Sequence, residues 1–219
     1  MANPRPPRHA LALATLRMRS PRKAIELGDS LRTAGDVEGA RQAYQRAIDS
    51  GDLHGAPAGE WSTGALLLEA GDVAGACAAF RRAISSGHPA WSVRAALNLA
   101  EALEDSGDPA GAIEQYRSVA DRRPDDPSLD VLVRRAAVRL EILLIRQGDQ
   151  EAAAQVYRRA IGAGGTAERA SFALNRAYEL QRRGDNAAAV ASYEEAIHLG
   201  DPVLSPRATR MLASLVEGD

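Results

Sequence analysis

The sequence predicts an all-α protein made of five consecutive helix–turn–helix repeats, and three observations carry that prediction. A Gly-Asp pair recurs at Gly35-Asp36, Gly71-Asp72, Gly107-Asp108, Gly148-Asp149 and Gly184-Asp185, at spacings of 36, 36, 41 and 36 residues. Around each pair the small, aromatic and leucine positions keep fixed offsets while the charged ones drift. The composition is alanine-rich with only 4% aromatic residues, and it lacks the alternation of Val, Ile and Thr that strands need.

The offsets define the helices. Five residues after each Gly stands an alanine (Ala40, Ala76, Ala112, Ala153, Ala189), and nine after it an aromatic (Tyr44, Phe80, Tyr116, Tyr157, Tyr193). Twelve after it stands a small or β-branched residue (Ala47, Ala83, Val119, Ala160, Ala196). These three offsets lie on one face of a helix that follows the Gly-Asp pair. A leucine four residues before each Gly (Leu31, Leu67, Leu103, Leu144, Leu180) marks the apolar face of a helix that precedes it. The Gly can take the left-handed conformation that ends the first helix, and the Asp can cap the orphan N–H groups opening the second.

In chain order, residues 1–20 form a basic segment with an expected capping helix over 8–19. Its apolar stretch is short for a signal peptide and far short of a membrane span. No acidic residue precedes Glu26, which leaves an Arg-rich transit peptide open. The repeats follow at about 21–56, 57–88, 89–126, 127–165 and 166–204. Gly51, Gly87, Gly164 and Gly200 end the second helices, with Arg123 at the matching place in the third repeat. Pro21, Pro57, Pro89, Pro127 and Pro206 fall where a next helix begins, and Pro109 follows its cap. The stretch 121–135 absorbs the five extra residues of the third spacing. It predicts a longer first helix over 127–147 and a local change of superhelical pitch. Residues 205–219, with Ser205 as cap, read as a capping helix and the first half of a sixth repeat.

Charge and composition exclude several function classes. The net charge of −2 argues for neither a polyanion binder nor a membrane-surface protein. One cysteine, Cys77, rules out an internal disulfide and a cysteine-based metal cluster; it reads as a small core residue in a reducing compartment, the cytoplasm. His9, His54, His88 and His198 have no zinc-type spacing, and no phosphate loop, nucleophile elbow or dinucleotide fingerprint is present. The glycines at 162–165 read as a turn. No cofactor, no metal and no catalysis are expected.

"GDVAGACAAF", with Ala76 and Phe80, and "LGDSL" at 27–31 resemble the tetratricopeptide repeat, whose second helix carries an A-x3-F signature. The likeness runs over about 21–201. The first-helix Trp is out of register, and the late proline is in register only at Pro124. Units of 36 residues with a late Gly also resemble Sel1-like repeats. The resemblance implies a right-handed superhelical solenoid with N- and C-terminal capping helices, whose first helices line a concave groove. It implies a non-catalytic scaffold or adaptor that binds a partner protein or peptide there.

In the family the groove positions fall ten, nine, six and three residues before each Gly. They give Ile25, Trp61, Leu97, Val138 and Leu174, then Asp29, Ala65, Glu101, Ile142 and Tyr178, of which Trp61 and Tyr178 are the aromatic anchors. Members that grip a chaperone's C-terminal carboxylate use Lys, Arg and Asn over three repeats. Asn98, Arg135 and Arg139 stand at matching places, while Trp61 and Ala65 replace the first-repeat residues. Arg135 and Arg139, four apart, can face one carboxylate, or pair with Glu141 or Asp130. The expected partner-binding set is therefore Trp61, Leu97, Asn98, Glu101, Arg135, Arg139, Ile142 and Tyr178.

Two other readings stay open. One is a peptide-sensing regulatory subunit that changes pitch at 121–130. The other is an RNA-binding array using the outer arginines Arg46, Arg81, Arg82, Arg117, Arg158 and Arg159. It is disfavoured by the absence of interleaved aromatics and by Glu194 and Glu195 in the fifth repeat. Exposed solenoid ends leave a homodimer open.

Overall fold

The computed structural model describes residues 20–122, 126–161 and 165–217, so the expected N-terminal capping helix and the Gly162–Gly164 turn lie outside the described residues. Among the described residues all regular structure is helical. The elements are α1 (Pro21–Thr33), α2 (Val37–Asp49), α3 (Gly55–Glu69), α4 (Val73–Ser85), α5 (Pro89–Asp105), α6 (Pro109–Ala120), a 3-10 turn at Pro127–Leu129, α7 (Asp130–Arg146), α8 (Gln150–Ile161), α9 (Thr166–Arg182), α10 (Asn186–His198) and α11 (Leu204–Glu217). The chain divides into two compact units, 1–112 and 113–219, with the division inside α6.

The Gly-Asp pair builds the same turn five times. Gly35, Gly71, Gly107, Gly148 and Gly184 all take φ values between 77° and 84°. The Asp that follows donates its N–H to the carbonyl of the leucine five residues back: Leu31, Leu67, Leu103, Leu144 and Leu180. This closes a Schellman motif and explains why leucine recurs there, since that position also packs against the neighbouring helix. The Asp side chain then accepts an N–H three residues on, from Gly39, Gly75, Gly111, Ala152 and Ala188, at 2.9–3.3 Å. Gly51, Gly87 and Gly200 end second helices with φ of 63–70°.

Several expectations are corrected. Pro21, Pro89 and Pro109 open their helices, whereas Pro57 and Pro206 stand at the third position, where the N–H is equally unpaired. The first helix after residue 126 is not unusually long. A 3-10 turn takes up Pro127–Leu129, and α7 has 17 residues, as do α5 and α9. The cap of α11 is Asp201, which accepts the N–H groups of Val203 and Leu204; Ser205 instead donates its hydroxyl to the Ala196 carbonyl.

Packing follows the offsets. Tyr44, Phe80, Tyr116 and Tyr193 are fully buried, as are the alanines five after each Gly; removing an aromatic ring of that size from water contributes about 2–3 kcal/mol. The rings fit because the first helix offers a small residue seven before its Gly. A Cβ on Gly28 would stand 2.3 Å from Tyr44 Cε1, and one on Gly64 2.5 Å from Phe80 Cε1. In the fourth repeat that position is Glu141, and the ring of Tyr157 is only half-buried, lying edge-on to Phe172 at 5.2 Å. Within each unit, successive first helices touch one another: α1 with α3 and α3 with α5, then α7 with α9 and α9 with α11.

Candidate interaction faces

First helices that touch side by side present a continuous face, and the predicted site residues divide between two such faces. In the first unit, α3 and α5 bring Trp61 and Asn98 together: the indole N–H donates to the Asn98 side-chain oxygen at 3.2 Å. Trp61 also stacks, tilted, on Trp91 at 5.5 Å, and the Arg94 guanidinium lies 5.7 Å from the Trp91 ring centre. Trp91 lies outside the repeating offsets, which is why sequence reasoning passed over it. Beside it a pocket of about 480 Å³ is lined by Pro21, Ile25, Glu26, His54, Ala58 and Trp91. Glu101 is half-buried. Leu97 is 3% exposed, so it supports the face from below and does not form it.

In the second unit, α7 and α9 bring four charged groups together. Glu179 is buried and holds Arg139 at 2.8 Å; Arg182 and Arg135 stand 3.7 and 3.9 Å from the same carboxylate. The Arg135 and Arg182 side chains are 37% and 50% exposed, against 10% for Arg139. Tyr178, next to Glu179, is half-exposed, and Val131 is exposed at the start of α7. Val131, Arg135, Tyr178, Glu179 and Arg182, together with Arg134, line a cleft of about 500 Å³, and Arg139 lies beneath it. Arg135 and Arg139 do share a carboxylate, that of Glu179, which lies 44 and 40 residues further along the sequence. Ile142 is 3% exposed and belongs to the core.

Glu141 is engaged elsewhere. It accepts from Arg176 at 3.0 Å, and Arg176 also bonds Ser192 and Glu195, while the Tyr157 hydroxyl donates to Glu195 at 3.2 Å. The result is a pair of crossed bridges: α7 supplies Arg139 and Glu141, and α9 supplies Glu179 and Arg176. Burial pushes the Glu141 carboxyl above the usual carboxylate range, and Arg176 opposes that shift. Such bridges set the register of two helices more than they stabilise them, because each ion must leave water.

The outer arginines Arg46, Arg81, Arg82, Arg117, Arg158 and Arg159 are exposed. Arg82 pairs with Glu60 at 2.8 Å and Arg159 with Asp121 at 2.9 Å, so carboxylates interrupt the basic stripe. Cys77 is buried as a small core residue. Among the described residues no three His, Cys, Asp or Glu side chains group as a metal site, and no helix is long and apolar enough to cross a membrane.

A tetratricopeptide repeat family model matches residues 25–90 and 64–127. No curated protein matches the sequence. Among solved structures, the MamA protein is similar at 16% identity and a TM-score of 0.53, over 82% of this chain and 91% of that one. YrrB, described as a tetratricopeptide-repeat protein with an unusual peptide-binding site, is similar at 15% identity and a TM-score of 0.54, over 93% of this chain and 98% of that one. The chain thus has the tetratricopeptide-repeat fold, with the family's sequence pattern matched over residues 25–127.

Proposed function

We propose that the chain is a non-catalytic scaffold that binds a segment of another protein along its first helices, with an acidic part of that segment on the α7–α9 face. The observation that supports this is the gathering of three guanidinium groups around one carboxylate. Glu179 balances one positive charge and is committed at short range to buried Arg139. Three arginines, Arg134, Arg135 and Arg182, line the cleft with one carboxylate, Glu179, and the half-exposed ring of Tyr178 lines it beside them. An arriving carboxylate would gain charge-assisted, forked hydrogen bonds there, and an apolar neighbour on the same segment would cover the ring. The likeness in fold to YrrB adds support, since a peptide-binding site is described for that protein. The lone buried cysteine supports a cytoplasmic setting for the interaction.

The test is capture from native lysate with the wild type and an Arg135→Glu, Arg182→Glu variant, read by mass spectrometry and by absorbance of nucleic acid. These two arginines are chosen over Arg139 because reversing a buried charge beside Glu179 would disturb folding. Loss of a discrete acidic protein partner on charge reversal supports the reading. Unchanged capture, or recovery of nucleic acid, overturns it in favour of the outer arginines.

A further inference from the structure

Outside that cleft, the first unit holds a histidine pair that the scaffold reading does not use. His54 precedes α3 and His88 precedes α5, 34 residues apart, and folding places His54 Nδ1 2.7 Å from His88 Nε2 with the rings edge to face at 4.8 Å. His88 is also the cap of α5. Its Nδ1 accepts the N–H groups of Ala90 and Trp91 at 3.2 and 3.3 Å. A nitrogen that accepts cannot carry a proton, so the His88 proton sits on Nε2 and is donated to His54 Nδ1. One tautomer satisfies both rings.

We propose that this pair is a pH-sensitive latch: both rings must be neutral for it to close, and protonation releases the start of α5 together with Trp91. A second proton on His88 has to go to Nδ1, where it would point at the two N–H groups it now accepts. A proton added to His54 Nδ1 would point at the His88 Nε2–H. Either event also places positive charge beside the N-terminus of α5, the positive end of its dipole. The charged groups that line the adjoining pocket with His54 are Asp52, which caps the turn before α3 through the N–H groups of His54 and Gly55, and Arg22 and Glu26 of α1, which pair with each other at 2.9 Å. Asp52, though committed to backbone donors, still attracts positive charge at His54, and the Arg22–Glu26 pair is internally balanced, so the cost of a proton falls mainly on His88, whose Nδ1 is held by the two N–H groups of α5.

Burial and the neighbouring His54 both lower the affinity of His88 for a proton, in keeping with this geometry. The sign follows: a histidine whose folded value lies below its unfolded value gives stability that is present above the ordinary histidine range and is lost as the pH falls through it. Trp91 forms a wall of the pocket beside Ile25 and stacks on Trp61, so opening the latch alters that pocket as well as the helix end.

The experiment compares the wild type with His88→Asn, which caps a helix without titrating, and with His54→Gln, which removes the facing ring. Long-range nitrogen–proton NMR of the imidazoles at about pH 7.5 is expected to show His88 as the Nε2–H tautomer, titrating below an ordinary histidine, with its midpoint moved upward in His54→Gln. Between about pH 7.5 and about pH 5.5 the wild type is expected to lose at least ~2 °C more in Tm than His88→Asn, with a matching change in tryptophan fluorescence. An Nδ1–H tautomer for His88 overturns the proposal. So do parallel Tm profiles for the wild type and His88→Asn.

Discussion

Replacing Glu179 with alanine removes the carboxylate that Arg135, Arg139 and Arg182 share, and the cost follows from burial. The Glu179 and Arg139 side chains are 8% and 10% exposed and meet at 2.8 Å. Removing one partner of a buried pair leaves the other desolvated without compensation, a loss of about 3–5 kcal/mol. Two further guanidinium groups within 4.0 Å of the vacated position place the effect toward the upper end. At about 2–4 °C per kcal/mol for a chain of this size, the helical transition should fall by roughly 6–20 °C. The assay is urea and thermal unfolding by far-UV circular dichroism. Tryptophan fluorescence follows the first unit separately, since Trp61 and Trp91 both lie there. The double variant Glu179→Leu, Arg139→Met should recover most of the loss, because an apolar pair of similar volume avoids the desolvation cost. A Glu179→Ala protein within about 1 kcal/mol of the wild type would refute the reasoning.

Other substitutions separate the forces in the repeat. Gly64→Ala puts a Cβ 2.5 Å from the Phe80 ring and should destabilise by about 1–3 kcal/mol despite its better helix propensity, whereas Gly35→Ala meets nothing within 4 Å and should cost only the left-handed backbone strain, about 1–2 kcal/mol; urea midpoints read both. Asp72→Ala removes the α4 cap and should cost about 1 kcal/mol, measurable as lost amide protection at Gly75. Tyr44→Phe loses the 2.7 Å bond to Asp29 and should cost about 0.5–1.5 kcal/mol. Because burial raises Glu141, the folded chain holds that proton more tightly than the unfolded chain. Its contribution is present at acid pH and is lost as the pH rises through the raised value. Stability measured against pH should therefore fall more steeply in the wild type than in Glu141→Gln over that interval, and parallel curves would contradict the assignment.

What the sequence made legible was local. Gly-Asp states its own turn, because the φ of the Gly and the cap of the Asp are set within six residues, and all five copies fold alike. The aromatic nine residues on was legible as core for four of the five repeats. Tyr157 departs because its seat is decided by Glu141 on another helix, sixteen residues earlier. The candidate sites were legible as positions but not as chemistry. Arg135 and Arg139 stand four apart as their spacing requires, yet the group that shares them, Glu179, comes from α9. Only the packing of α7 on α9 places it there. Leu97 and Ile142 sit at the expected register but below the surface, since a helix flanked on both sides buries part of the face it presents. Trp91 and the His54–His88 contact lie at helix starts, where the repeat pattern carries no signal.

Binding of an acidic partner segment to the α7–α9 face can be measured by fluorescence anisotropy with a library of labelled peptides at two salt concentrations. Acidic peptides should bind, with an affinity that falls about tenfold or more in Arg135→Glu, Arg182→Glu and with added salt, and Trp61→Ala should have a smaller effect. Equal binding of basic and acidic peptides, or affinity untouched by the charge reversal, would contradict it.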